Sequence, residues 1–375
     1  MKNVPELRFA GFDGEWEESR FETLINNIGT GSSKFNLNDI GYPILGSTGI
    51  IGYDDNFDYE GNFILIARVG ANAGSLYNYN GQVKISDNTI FIETKNQNYV
   101  YNLLINKNLT RLIFGSGQPL VKSSDLKTLN VISTKNKEEQ EKIGDLFKKI
   151  DILIENQEDK VSKMEDFKKS MLQKTFPKKG ELVPEFRFDG FDGDWICSKS
   201  GNVFELISEK DFPDLDVLSA TQDEGMILRN DFSSDIQYDK NQLKNYKKVE
   251  PGDFVIHLRS FQGGFAHSSI EGITSPAYSV IRIKDEGSHF DLFWKAIFSS
   301  QNFINILQKL IYGVRDGKSI SFKDFKGIKL RYPTLAEQEK IGNFFKNLDA
   351  QIETEKKLLE SYKMMKKSLL QKMFV

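Results

Sequence analysis

The chain has 375 residues, more than one core usually fills, so two or three domains are expected. Hydrophobic residues make up 39%, charged ones 27% and aromatic ones 12%, which excludes a largely disordered chain. Fifty Lys and Arg stand against 53 Asp and Glu, a net charge of −3 that argues against an indiscriminately basic surface but leaves room for a local basic groove. One cysteine, Cys197, cannot form an internal disulfide, and with three histidines it leaves too few soft ligands for a zinc site. There is no basic-then-apolar leader and no run near the ~18 apolar residues of a membrane span, so a cytoplasmic, membrane-free protein is expected.

The chain opens on VPELRFAGFDGEW (4–16). NFILIARVG (62–70) and NTIFIET (88–94) then show the apolar, β-branched pattern of strands between Gly, Asn and Asp. Apolar spacing turns helical near 99–114. From 138 to 176 there is no Pro and a single glycine, Gly144, in a stretch rich in Glu, Lys, Gln, Leu and Met. A helix of about 38 residues is predicted there, roughly 57 Å long at 1.5 Å per residue. Its apolar stripe is Ile143, Phe147, Ile150, Ile154, Val161, Met164, Phe167 and Met171. PKKGEL (177–182) reads as a linker.

The frame then repeats. VPEFRFDGFDGDW (183–195) matches the opening at ten of thirteen positions with an offset of 179. DFVIHLRS (253–260) and YSVIRIK (278–284) read as strands, and 290–310 as helical. EQEKIGNFFKNLD (337–349) matches EQEKIGDLFKKID (139–151) at nine of thirteen positions, offset 198, and starts a second long helix whose one glycine is Gly342. Its stripe recurs at Ile341, Phe345, Leu348, Ile352, Leu359, Tyr362, Met365 and Leu369. Steps of three and four, broken once near Gln157 and Glu355, mark a coiled-coil-type seam. Thr134 and Thr334 stand ahead as candidate caps, and Pro333 stops the preceding strand.

These matches make the chain a tandem duplication, although 30–120 and 200–315 show little resemblance to each other. Two halves related by a pseudo-two-fold bring equivalent stripes together as an antiparallel pair. The expected fold class is α+β, with two strand-rich mixed domains separated by two long antiparallel coiled-coil helices in a pseudo-two-fold internal repeat. The divisions expected are 1–137, a first strand-rich domain; 138–176, the first long helix; 177–336, linker and second strand-rich domain; and 337–375, the second long helix.

Catalytic motifs are missing. GSGQPLVKSS (115–124) lacks the second Gly before Lys that a phosphate loop needs. No Asn-Pro-Pro and no strand–GxGxxG–helix unit occurs, which removes the usual features of an amino-methyltransferase. Pro213-Asp214 has no acidic-x-Lys partner for a metal nuclease. His257, His267 and His289 have no nucleophile elbow beside them and read as structural or surface residues. No catalytic residue and no metal site are assigned.

Basic, amide and small residues do recur beside Gly in strand-connecting loops. Ser47, Thr48, Arg68, Asn72, Gln118 and Lys122 in the first half are candidate DNA contacts. So are Lys247, Arg259, Gln262, Tyr278, Arg315 and Lys318 in the second. Gly lets backbone approach a ligand, while Arg, Lys, Gln and Asn grip phosphates and base edges. A coiled-coil scaffold whose ends bind protein or carbohydrate remains open on these residues, as does a cryptic nuclease or methyltransferase. Ile143, Phe147, Ile150, Ile154, Val161 and Met164 are expected to pack with Ile341, Phe345, Leu348, Ile352, Leu359 and Tyr362 in the helix pair.

PELRF and PEFRF at the head of each half, GQPLVKSSDLKTL (117–129) and GKSISFKDFKGIKL (317–330) ahead of each EQEKIG, and the closing KKSMLQKTF and KKSLLQKMF together resemble the specificity subunit of type I restriction–modification systems. The likeness covers essentially the whole chain. YPILGSTGIIGY (42–53) with LIARVGANAG (65–74), and KVEPGDFVIHLRS (248–260), look like two types of target recognition domain. The chain departs from its own pattern at Ser133-Thr134-Lys135, where the second half has Tyr332-Pro333-Thr334. The resemblance implies a non-catalytic reader of double-stranded DNA, each domain taking one half of a split asymmetric site. It implies helices that set the spacing and bind two methyltransferase subunits, with motor/endonuclease subunits joining for restriction. S-adenosylmethionine, ATP and Mg2+ are then expected on those partners and no cofactor on this chain.

Overall fold

The computed structural model describes residues 3–114, 119–231, 240–310 and 320–375. The chain forms two compact units, each discontinuous or built around segments of both long helices: Met1–Asp159 with Lys357–Val375, and Lys160–Lys356.

In the first unit the elements are β1 (Glu17–Arg20), β2 (Asn27–Thr30), β3 (Tyr42–Gly46), β4 (Gly49–Asp54), β5 (Tyr59–Ala67), β6 (Leu76–Ile85), β7 (Thr89–Glu93), α1 (Gln97–Lys107), α2 (Ser123–Lys127), β8 (Asn130–Ser133) and α3 (Lys137–Lys174). Six strands form one sheet in the order β2-β7-β5-β6-β3-β4, in which β3 and β6 run parallel and the other neighbours antiparallel. The run Phe63 to Ala67 on β5 is fully buried. Strand alternation splits it: Ile64 and Ile66 join Val100, Leu103 and Leu104 of α1, while Phe63 and Leu65 join Leu45, Val83 and Phe91 on the opposite face. Fully burying each such side chain contributes about 1.5–3 kcal/mol. The strand expected at 62–70 lies three residues earlier, because Gly70 at φ +85° turns the chain after Arg68.

The second unit contains β9 (Ile196–Lys199), α4 (Ser200–Val203), β10 (Phe204–Ile207), β11 (Leu218–Ala220), β12 (Met226–Leu228), β13 (Lys247–Val249), β14 (Phe254–Ile256), α5 (Ser260–Gly263), β15 (Ala266–His267), β16 (Gly272–Thr274), β17 (Ser279–Ile283), α6 (Asp291–Phe298), α7 (Gln301–Leu310), α8 (Phe322–Phe325), β18 (Lys329–Tyr332) and the start of α9 (Leu335–Met373). Its largest sheet has the order β10-β17-β14-β15, packed on an aromatic core that includes Phe204, Phe254, Phe265, Trp294, Phe298 and Phe325. The strand expected at 253–260 stops at Ile256, where Ser260 Oγ accepts the His257 N–H at 2.8 Å and starts α5. The helical stretch expected at 290–310 forms as two short helices, divided where Ser300 Oγ accepts the Phe303 N–H at 3.3 Å and opens the second.

Both long helices form as expected within two residues at each end. Asn136, rather than Thr134, caps α3: its Oδ1 accepts the N–H groups of Glu138 at 3.0 Å and Glu139 at 3.3 Å. The helices run antiparallel in both units, as ion pairs show. In the first unit Lys366 meets Asp151 at 2.5 Å and Lys363 meets Glu158 at 2.8 Å. In the second Lys168 meets Asp349 at 2.5 Å and Lys356 meets Glu165 at 2.6 Å. Ile143, Phe147, Ile150 and Val161 are buried, as are Ile341, Phe345, Leu348 and Ile352, while Ile154, Met164, Leu359 and Tyr362 are half-buried. Phe167 and Met365, equivalent positions of the two stripes, are 50% and 41% exposed, so there the stripe leaves the seam.

The repeated head motif clasps two helix ends. The Leu7 N–H donates to the Lys372 carbonyl at 2.9 Å, and the Phe186 N–H to the Lys174 carbonyl at 2.9 Å. Trp16 packs edge-on against Phe374, ring centroids 6.2 Å apart, and Trp195 against Phe176 at 6.3 Å. The head of each half thus holds the end of the other half's long helix.

Candidate nucleic-acid interface

In the first unit the last pair of the β5–β7 ladder is Ala67 and Thr89. One step on, the Arg68 N–H donates to the Asn88 carbonyl at 2.9 Å and the Arg68 carbonyl accepts from Val121 at 2.8 Å. The guanidinium donates to the Asp87 carbonyl at 2.9 Å, which fixes its direction. A guanidinium carries five N–H donors, so one such bond leaves others for phosphate or a base edge. Ser47, in the turn between β3 and β4, donates to the Asn88 carbonyl at 3.0 Å. Asn72 occupies a turn in which the Ala73 N–H reaches the Gly70 carbonyl at 3.0 Å and the Ser75 N–H reaches Asn72 at 3.0 Å. Gly70 and Gly74 both hold φ +85°, which glycine alone adopts cheaply. Ser47, Thr48, Arg68, Asn72 and Lys122 therefore gather at one end of the six-stranded sheet, with Thr48, Asn72 and Lys122 exposed. Phe114, which the sequence reading did not single out, is 60% exposed beside them, its N–H bonded to the Leu120 carbonyl at 3.1 Å. An exposed aromatic there offers a stacking face. Gln118 lies outside the described residues.

The second unit builds its cluster on the corresponding ladder. Ile256 and Ser279 are the last pair of β14 and β17, and one step on His257 stands opposite Tyr278, ring centroids 6.2 Å apart. Lys247 Nζ donates to the Tyr278 carbonyl at 2.5 Å. Burial, then the charge of Lys210, lowers the pKa of this lysine. Arg259 is exposed and its N–H donates to His257 Nδ1 at 3.3 Å. Gln262, also exposed, accepts from Gln222 Nε2 at 3.1 Å, which brings in the turn between β11 and β12. Lys247, Arg259, Gln262 and Tyr278 are thus together, joined by His257 and Gln222. Arg315 and Lys318 lie outside the described residues. The ladder register places His257, rather than Arg259, at the position of Arg68.

Among the described residues no group of three or more His, Cys, Asp or Glu is placed to hold a metal ion. None of their helices is long and apolar enough to cross a membrane.

One ladder order used twice, two different polar clusters at its strand ends and a long helix closing each half define a duplicated module whose halves carry different polar sites. The family described as the type I restriction modification DNA specificity domain matches residues 14–165 and again 192–363, and the chain belongs to that family. It is a DNA specificity subunit, the non-catalytic member of a type I restriction–modification system, which decides between this class and the scaffold or enzyme readings left open above. Comparison with curated proteins finds no match. Among solved structures, the type I restriction–modification S subunit from M. genitalium is similar over 99% of both chains, at 16% identity and a TM-score of 0.69. A chain from work on the structural basis of complex assembly and conformational transition of the type I R-M system is similar over 96% of this chain and 97% of that one, at 15% identity and a TM-score of 0.51. At these identities the likeness is one of fold.

Proposed function

We propose that each unit reads one half of a split, asymmetric DNA site, the first through Ser47, Thr48, Arg68, Asn72, Gln118 and Lys122, the second through Lys247, Arg259, Gln262, Tyr278, Arg315 and Lys318. The observation that carries this is the equivalent placing of unlike side chains: Arg68 and Asn88 lie one step past the end of one ladder, His257 and Tyr278 one step past the other. An asymmetric bipartite site needs two different readers on one frame. The long helices set the spacer and dock two methyltransferase subunits, with motor/endonuclease subunits joining for restriction. Helices of 38 and 39 residues, roughly 57 Å, bound the spacing at about 17 base pairs. The recognition domains are 1–137 and 177–336, the spacer helices 138–176 and 337–375. S-adenosylmethionine, ATP and Mg2+ belong to the partner subunits. A DNA reader works where the DNA is, and we place the complex in the cytoplasm.

Methylome sequencing of cells carrying the chain with its partners tests this. Exchanging residues 1–137 for another first half changes one half-site alone, and four residues inserted near Gln157 lengthen the spacer without changing either half-site. An unchanged spacer refutes the ruler. Residues 1–137 carry 13 basic and 14 acidic side chains and residues 177–336 carry 21 and 23, so phosphate attraction by this chain alone is modest. The purified chain is expected to bind its site weakly, and tight specific binding in a gel shift counts against that.

A further inference from the structure

His257 is 6% exposed, and its Nε2 is buried with no hydrogen-bond partner. The ring is not free to satisfy itself by changing tautomer. Its Nδ1 accepts the Arg259 N–H at 3.3 Å, so the ring proton sits on Nε2, a fixed donor left unmade. A buried donor without an acceptor is costly, and among the described residues whose buried side-chain atoms lack a partner, Trp16 and Trp195 included, His257 is the one that stands in a candidate contact cluster. We propose that His257 is a specificity-determining residue of the second unit, whose Nε2–H donates to a base-edge acceptor in the major groove: a purine N7, a guanine O6 or a thymine O4.

This rests on the reading of the second cluster as a base reader, and three further observations place it there. The ladder register puts His257 where the first unit has Arg68, a candidate contact. Arg259 and Tyr278 touch it and Lys247 bonds the Tyr278 carbonyl, and all three are candidate contacts. The half-buried Tyr278 ring stands edge-on to it, centroids 6.2 Å apart, just ahead of the neighbouring strand of the ladder. A base edge suits this group better than a phosphate. Burial, then the charge of Arg259, pushes the His257 pKa down to about 4, so the ring is neutral near pH 7 and brings no charge. Arg259, charged and exposed, is the phosphate grip of the pair. A neutral donor sunk in the protein instead discriminates, because a wrong base leaves it unpaired after desolvation.

The test uses the full chain assembled with its methyltransferase subunits and a panel of duplexes substituted at each position of both half-sites. With His257→Leu, the preference for the cognate base falls roughly ten- to a hundredfold at one position of the second half-site. His257→Gln, which keeps an N–H, loses less. Every position of the first half-site is unchanged. The salt dependence of binding stays as in the parent, whereas Arg259→Ala lowers the log–log slope by about one. A folded His257→Leu complex that discriminates at all positions like the parent overturns the proposal. If that variant does not fold, a His257→Phe complex, which also lacks the ring N–H, with parental discrimination throughout overturns it equally. Should exchange of residues 177–336 also leave the second half-site untouched, the base-reading assignment of the unit has failed, not this residue alone.

Discussion

Arg187 and Glu337 form a two-point ion pair, Nε to Oε1 at 2.9 Å and the second terminal nitrogen to Oε2 at 2.7 Å, and Arg8 with Glu139 repeats it at 2.6 and 2.9 Å. In each case the head-motif arginine also donates to a glycine carbonyl six residues on, Gly193 or Gly14, at 2.6 Å. The carboxylates are almost wholly buried, with side chains 2% and 0% exposed. The hydrogen bond to Glu139, opposed by burial, holds the Arg8 pKa above its ordinary value. Removing one partner of such a pair strands the other. Glu337→Gln is expected to destabilise the second unit by about 3 kcal/mol. Hydrogen exchange should quicken in β9 and β18 while β1 and β8 keep their protection, and Glu139→Gln should do the reverse.

Gly144 and Gly342, the single glycines of the long helices, mark close approaches. A Cβ on Gly342 would lie 2.7 Å from the Phe293 nitrogen and 2.9 Å from the Phe290 ring, and one on Gly144 2.9 Å from the Tyr99 nitrogen. Alanine favours a helix by about 1 kcal/mol over glycine, so a free site would gain stability. Here the clash is with backbone. Gly342→Ala is expected to cost a net 1–2 kcal/mol or so, read as a lower urea midpoint with unchanged slope.

Glu165 with Lys356 and Glu158 with Lys363 occupy the same place under the 198-residue repeat, with the charges exchanged between helices. Both acids are on α3 and both lysines on α9. Two copies of either helix paired with each other would set like charges opposite, so the arrangement favours α3 against α9. Glu165→Lys should lower stability at low salt by less than about 1 kcal/mol, read as a slightly lower thermal midpoint, since such exposed pairs are weak. Adding Lys356→Glu should restore it, and high salt should erase both effects.

His257 also predicts an acid sensitivity. Its folded pKa, about 4, lies below the ordinary value of 6.5, so between those pH values the unfolded chain binds more protons than the folded one. Stability contributed by the neutral ring is full above about pH 6.5 and is lost as pH falls towards 4. Divided by their values at pH 7.5, the urea midpoint of the parent should therefore fall below that of His257→Gln as the solution is acidified. Parallel curves would falsify the assignment.

Most of the frame was legible in the sequence because periodicity and composition act locally. The stripe from Ile143 to Ile150 and its partner from Ile341 to Ile352 are buried where spacing put them. Strand cores such as Phe63 to Ala67 declare themselves by β-branched and aromatic content. Boundaries were less legible where one side chain decides them. Ser260 ends the strand after Ile256, Ser300 divides α6 from α7, and Asn136 takes the cap expected of Thr134, each through a hydrogen bond that hydropathy does not encode.

The sequence by itself determined that this protein is duplicated, that each half closes in a long helix and that the two halves differ in what they carry between. Repetition and a helical period are properties of neighbours along the chain. Only the tertiary structure decided that Leu370, Met373 and Phe374 complete the core around Trp16, while Met171 and Phe176 complete the one around Trp195. The two stripes are interchangeable as patterns, and pairing them depends on antiparallel packing of whole helices. The same holds for His257 beside Tyr278, a relation set by strand register across a sheet and by burial that leaves one ring proton unspent.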